Sequence, residues 1–318
     1  MHNGPGMLLR VIHETSYDYA PAVKTAQHVA HLKPRDDEQQ QVLAHRLTVT
    51  PPPVQQTDST DVYGNARTFF SLAGAHGELR VVAESVVANR APAAPVDSLP
   101  WEVARERMRY HRNADWDPAS EFVFASPYVP RHENFLAYAR PCFTPARPLW
   151  EASCDLMKRI HEDFTYEAEA TDISTPALEA LDMRKGVCQD FAHIMLGCLR
   201  SLGLPARYVS GYLLTQPPPG KTRLVGSDAS HAWVSVYLPR EDRERGCWAE
   251  LDPTNDRMPG EDYVRLATGR DYSDVSPIRG VIHGGANHTL TVAVTVAPLE
   301  AAERAAYNLL PPTATEAS

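Results

Sequence analysis

Polar and apolar residues alternate over Leu9–Glu14, where Leu9, Val11 and His13 interleave with Arg10, Ile12 and Glu14 in a noisy two-residue period. Val42–Val49 and the valine-rich stretch Leu79–Val87 carry the same β signal. Within Asp61–Phe70, Gly64-Asn65 separates two short runs and predicts a hairpin with that pair at its tip. Residues 1–90 therefore predict an all-β, sandwich-like domain of several short strands. Ala91–Pro100 reads as a linker by composition and Trp101–Met108 as a short helix. The proline-rich stretch that follows reads as surface wrapping, so 91–147 is taken as a linker and wrapping segment.

The period then changes. Leu149, Trp150, Cys154, Met157, Ile160 and Phe164 recur at helical spacing and predict an amphipathic helix over 149–164. Thr175 before Pro176 predicts an N-cap with proline at the first helical position, and that helix runs to about Arg184 and stops at Gly186. A third helix starts near Cys188, with Phe191, Met195, Cys198, Leu199 and Leu202 as its stripe and Gly203 and Pro205 as its stop. Strands follow at Arg207–Leu214, His231–Leu238 and Cys247–Leu251, and Thr289–Val296 is a late strand whose sheet the pattern does not assign. Residues 148–275 thus predict an α+β unit, and 276–318 a C-terminal strand and tail.

This pattern gives three residues chemical meaning. A cysteine that opens a helix faces unpaired N–H groups and the positive end of the helix dipole. Both favour thiolate over thiol at Cys188, and its own N–H becomes a candidate oxyanion donor. His231 lies at the start of a strand on the face shared by Trp233, Ser235 and Tyr237. The strand ending at Leu251 pairs antiparallel with it, and pairing Leu238 near Cys247 places His231 opposite Asp252 or within a residue of it. Asp252 before Pro253 is extended, within reach of the ring, where it fixes the tautomer while the other nitrogen takes the proton of Cys188. A one-residue slip would part the two side chains. Each residue alone has a plainer role: a buried thiol, a packed histidine, an Asp-Pro turn.

Lesser signals surround these three. Tyr166 could line the site or pack, and Trp233 could shield the imidazole. Asp190 is a first-turn carboxylate, and His193 falls on another face of the helix from Cys188. No paired-cysteine or His-x-x-x-His pattern points to a metal, and no nucleotide-binding glycine loop is present, so neither metal nor cofactor is expected.

Composition narrows the setting. The 318 residues carry a net charge of −9, with no sequence-wide basic field for a phosphate backbone, so nucleic-acid binding is disfavoured. No apolar run approaches the roughly 18 residues needed to span a bilayer, so no membrane is implied. Met1–Gly6 lacks the basic and apolar regions of an export signal. Five cysteines, odd in number and widely spaced, argue for free thiols and a cytoplasmic protein. Nothing in the pattern fixes an oligomeric state.

The stretches Gly186–His193, Pro205–Tyr212, Ser230–Val234 and Leu251–Asn255, with Gly269–Pro277 after them, resemble the bacterial transglutaminase-like superfamily. Tyr17-Asp18-Tyr19 through Asp61 and Gly64-Asn65 is similar to the β domain that precedes the core in that family. The resemblance implies an α+β fold with a papain-like core behind a β domain. It also implies Cys188 as nucleophile, His231 as general base and then acid, and Asp252 as orienter. One departure is the charged loop Pro239–Gly246, longer than the short glycine turn the resemblance leads one to expect. The expected activity is cysteine-dependent acyl transfer on a peptide or amide substrate, with hydrolysis preferred. The alternatives are transfer to an amine, or a peptide-binding module without turnover.

Overall fold

A computed structural model describes residues 6–299 except 96, 110, 111, 113–115, 216–229, 241–245 and 286. Most of the charged loop after Leu238 and the Pro217–Pro219 segment therefore lie outside the described residues, as do Met1–Pro5 of the N-terminus and the tail from 300 onward.

The fold is α+β, as the pattern predicts. The N-terminal region is built from β1 (Met7–Ala30), β2 (Gln40–Thr50), β3 (Gln55–Thr60) and β4 (Ala66–Asn89). The expectation of several short strands is corrected here, because β1 and β4 are each 24 residues long. They pair along nearly their whole length, with register shifts between Asp18 and Thr25. Pro21 on one strand and Gly74, at φ +105°, on the other mark the break. Each strand leaves one half of the sheet there and enters the next, so its alternation changes phase and reads as two short strands. Residues of both halves, among them Tyr19, Phe70, Leu79 and Val81, meet in one cluster. The predicted hairpin joins β3 to β4, but Asp61–Asn65 forms its turn rather than part of its strands.

The connecting segment carries α1 (Trp101–Arg107) and α2 (Glu133–Ala139). It does more than cross the surface: Val129, Phe135, Tyr138 and Phe143 enter the main core. The core continues through α3 (Leu149–Asp163), β5 (Thr165–Tyr166), α4 (Ala177–Met183), β6 (Lys185–Gly186) and α5 (Cys188–Ser201). The α4 cap differs from expectation. Pro176 takes the N-cap position, and the Thr175 hydroxyl accepts the Asp172 N–H instead. The helix ends on Arg184 in the left-handed conformation. All of α5 from Asp190 to Arg200 is buried. At Gly197 a Cβ would lie 2.9 Å from the Phe135 ring, so glycine is what lets α2 approach.

Against α5 lies a four-stranded antiparallel sheet of β7 (Ala206–Leu213), β8 (Ser230–Leu238), β9 (Cys247–Leu251) and β10 (Tyr263–Gly269), in the order β10-β7-β8-β9. Sequence reading missed β10, whose every residue is buried. A strand covered on both faces shows no alternation. After α6 (Tyr272–Val275) the chain returns to the first sheet. There β11 (Ile278–Gly284) pairs with the second half of β1, and β12 (Asn287–Pro298) pairs with its first half. The late strand left unassigned above is therefore an N-terminal-sheet strand.

The two sheets are joined by packing and by hydrogen bonds. Leu9, Val11, Val294 and Val296 bury against Tyr212, Val264 and Leu266. Asn65, fully buried at the hairpin end, donates from Nδ2 to the Thr268 carbonyl at 2.7 Å, and its Oδ1 accepts the Thr268 N–H at 2.8 Å. Arg35 also donates to that Oδ1, at 2.6 Å. Removing this amide strands the buried Thr268 backbone pair, each group at a cost of about 1–3 kcal/mol. Asn65→Ala is expected to lower unfolding stability by roughly 2–4 kcal/mol in urea titration. A loss under about 0.5 kcal/mol would show that the clamp carries no weight.

Candidate active site

Cys188 is the first residue of α5, as predicted, and follows Val187, which is extended. The helix start is fixed by Asp190. Its carboxylate accepts the Val187 N–H at 2.8 Å and the Thr171 hydroxyl at 2.6 Å. Burial pushes the Asp190 carboxyl up, against those two hydrogen bonds. At Gly186 a Cβ would lie 2.4 Å from Asp190 Oδ2, so only glycine lets the carboxylate reach back over the turn. The first N–H groups of α5 have no acceptor within the helix, and Cys188 carries the first of them.

His231 lies on β8 and Asp252 just beyond the end of β9. The expected pairing of Leu238 with Cys247 is present, but the position of His231 counted back from it differs. Leu238 does oppose Cys247 and Val234 opposes Leu251, a spacing that puts Trp233, not His231, across from Asp252. The offset is two residues, so both side chains stay on one face of the sheet. Diagonal neighbours lie within reach of long side chains, and His231 Nε2 is 2.6 Å from Asp252 Oδ2. The other ring nitrogen is left for the thiol, and Cys188 lies close enough to raise the affinity of the His231 ring for a proton.

Asp252 has no solvent exposure. Its Oδ2 also accepts from Asn255 Nδ2 and from the Tyr263 hydroxyl, each at 2.7 Å. Its Oδ1 accepts the Thr254 N–H at 2.9 Å. Burial alone would raise this carboxyl, but the bonds from His231, Asn255 and Tyr263 and the charge of His231 hold it below its ordinary value. For His231, burial opposes the cation. The bond to Asp252 and the interaction with Cys188, with the charges of both, overcome it and raise the imidazole to about 10.

A second tier holds the ring in place. Trp233, fully buried, stacks on His231 with centroids 5.9 Å apart and donates its indole N–H to Glu250 at 3.0 Å. Arg265 donates to the other oxygen of Glu250 at 2.8 Å. Tyr263 packs edge-on to Trp233 at 5.3 Å. Trp233 was singled out from sequence, whereas Tyr263 and Arg265 were missed because they lie on the one strand with no readable period. Asn255 stood inside a quoted motif without a role.

The remaining candidates are placed plainly. Tyr166 is 56% exposed, and burial together with the Cys188 charge pushes its phenol up. His193 is buried, stacks on Tyr128 at 5.6 Å, and is lowered by burial to about 4. It therefore belongs to the packing behind α5. Among the described residues, no cluster of three or more His, Cys, Asp or Glu side chains is placed to hold a metal ion. Cys188 and His231 line one cleft of about 300 Å³, walled in part by β1 and β12.

Known proteins resemble this chain along most of its length. Residues 9–88 match the bacterial transglutaminase-like N-terminal region, and residues 137–253 match the transglutaminase-like superfamily. The chain is 41% identical over 297 residues to Rv2569c of Mycobacterium tuberculosis, covering 92% of this chain and 93% of that one. A stretch of 169 residues is 32% identical to a protein-glutamine gamma-glutamyltransferase of Pseudomonas aeruginosa, over 48% of this chain and 24% of that one. A solved structure from Cytophaga hutchinsonii, provisionally named a cysteine protease, superposes with a TM-score of 0.70 at 20% identity, covering 93% of this chain and 92% of that one.

The raised imidazole sets a pH window. Its folded value, about 10, lies above the ordinary 6.5. The stability it contributes is therefore full below pH 6.5 and is lost as pH rises through about 10. Asp252 acts at the other end, and its contribution fades as pH falls through its depressed value. NMR titration of labelled histidines is expected to show one ring titrating near pH 10, which moves down in Asp252→Asn. A His231 ring titrating at about 6.5 in the wild type would contradict the coupling.

Proposed function

The chain belongs to the transglutaminase-like superfamily, and we propose that it is a cysteine-dependent enzyme hydrolysing a peptide, isopeptide or related amide bond through a thioester on Cys188. The observation that carries this reading is the shared cleft. In it, a sulfur at a helix N-terminus meets a ring whose far nitrogen is tied at 2.6 Å to a carboxylate without solvent exposure.

The Cys188 sulfur attacks the carbonyl carbon, and the negative charge passes to the carbonyl oxygen beside the free N–H groups that open α5. The C–N bond breaks as the imidazolium of His231 gives its proton to the leaving amine. The acyl group remains on sulfur as a thioester. Water then attacks it, giving a proton to His231, and the C–S bond breaks to release the carboxylic acid. Net, one water is consumed and one amide becomes an acid and an amine. Asp252 stays ionised throughout and keeps the ring oriented.

Hydrolysis is favoured over amine transfer because water is always available, whereas transfer needs an acceptor site that protects the thioester from it. The stretch shared with the Pseudomonas aeruginosa gamma-glutamyltransferase favours amine transfer as the second reading. A cytoplasmic setting completes the proposal, supported by five cysteines that are all free. No helix among the described residues is long and apolar enough to cross a membrane.

The thiols differ in a way that can be measured. Burial pushes Cys142 and Cys198 up, and burial raises Cys154 to about 11. Iodoacetamide at neutral pH is expected to label Cys188 while these three stay unmodified, as read by peptide mass spectrometry. On a peptide-amide pool, Cys188→Ala should lower turnover by at least about a thousandfold. A product carrying an added primary amine would replace hydrolysis with transfer, and a Cys188 as inert as Cys198 would leave a binding module.

A further inference from the structure

On β12 the even positions Leu290, Val292, Val294 and Val296 are apolar, and the odd positions Thr289, Thr291 and Thr295 are polar. A strand packed on one side reads this way. Only part of the stripe is used for packing. Val294 and Val296 are 1% and 0% exposed against β7 and β10, whereas Leu290 and Val292 are 51% and 48% exposed. On β1, Leu9 and Val11 are buried in that interface, while Thr15 and Tyr17, paired with Val292 and Leu290, lie beyond it.

The unused part of the stripe does not face open solvent at random. Tyr17, Leu290 and Val292 line the cleft that holds Cys188 and His231, with Ile173 and Ile278 on other sides. No Asp, Glu, Lys or Arg is among the described residues lining that cleft. The other imidazole among its described lining residues, His13, is hydrogen-bonded to the Tyr212 hydroxyl and to Thr15 Oγ1, each at 3.0 Å. Burial lowers His13 to about 4, so at neutral pH it adds no charge.

We infer that the Tyr17–Leu290–Val292 wall of the N-terminal sheet is the acyl-side specificity surface of the cleft, and that it selects a substrate with a bulky apolar group beside the scissile carbonyl and rejects an acidic one. This rests on the proposed acylation of Cys188. The acyl group is the part of the substrate that stays bonded to sulfur after the amine departs, so the walls around the sulfur must accommodate it. The cleft of about 300 Å³ is at the small end of ligand pockets and suits a single side chain with its flanking backbone. An apolar group there covers Leu290 and Val292. A carboxylate would shed water with no Lys or Arg among the described lining residues to receive it, and the His231 imidazolium is already paired with Asp252.

The test uses three reagents on the full chain, each followed by mass spectrometry at Cys188: iodoacetamide, N-acetyl-leucyl chloromethyl ketone and N-acetyl-glutamyl chloromethyl ketone. The leucyl reagent is expected to react at least about tenfold faster than the glutamyl one. Leu290→Arg and, independently, Val292→Arg should cut that ratio at least several-fold toward the acidic reagent. Val281→Arg adds the same charge at a 77% exposed position on β11 outside the cleft and should keep the wild-type ratio. Equal wild-type rates, or an unchanged ratio in both cleft variants, would overturn the inference while leaving acylation intact. Failure of iodoacetamide itself at Cys188 would instead remove the proposed function, and this inference with it.

Discussion

A carboxylate sealed from water has to find its compensating charges and donors within the fold, and the placement of Asp252 shows what that demands. Its oxygens accept from the His231 ring, the Asn255 amide, the Tyr263 hydroxyl and the Thr254 N–H. These donors come from β8, from β10 and from the turn after β9, so the carboxylate is satisfied only when three strands are in register. Breaking such a buried pair from one side strands the other charge, at a cost on the order of 3–5 kcal/mol. The arrangement is therefore as much a constraint on the sheet as a device of the site.

Each neighbouring element serves this constraint. Trp233 fills the face between His231 and Tyr263, and its indole is held by Glu250, which Arg265 holds in turn. On the other face α5 brings the sulfur, its first turn drawn tight by Asp190 over Gly186. The N-terminal sheet then reaches around through β1 and β12 and supplies a wall of the cleft from outside the core. A sheet that begins the chain is completed by its last described strands, so cleft and sheet close together.

Much of this was legible in sequence because the elements involved have one exposed face or a marked end. The helix start at Cys188 follows from Gly186 and the stripe after it, and the β8–β9 pair from clean alternation and a polar loop. The Leu238–Cys247 pairing was read correctly and the count from it to His231 missed by two residues, but an even error preserves the face, and the side chains still meet. Tyr263 and Arg265 were not legible, because β10 is buried on both sides and its mixture of Tyr, Val, Arg, Leu and Thr has no period. The length of β1 and β4 was hidden for a related reason. A strand that bends from one half of a sheet to the other reverses which residues face inward, and local alternation then reads as an end. The cleft wall was invisible for want of topology, since nothing local places Leu290 beside Cys188.

The central claim is that these three side chains together make Cys188 an acyl carrier. It is tested most directly by acid-quenching the protein with a pool of N-blocked peptide amides and mapping mass increments by peptide sequencing. The account predicts an acyl increment on Cys188 that neutral hydroxylamine removes, as a thioester requires, and that is absent from His231→Ala. No increment on Cys188 in the wild type, or an equal one in His231→Ala, would contradict it.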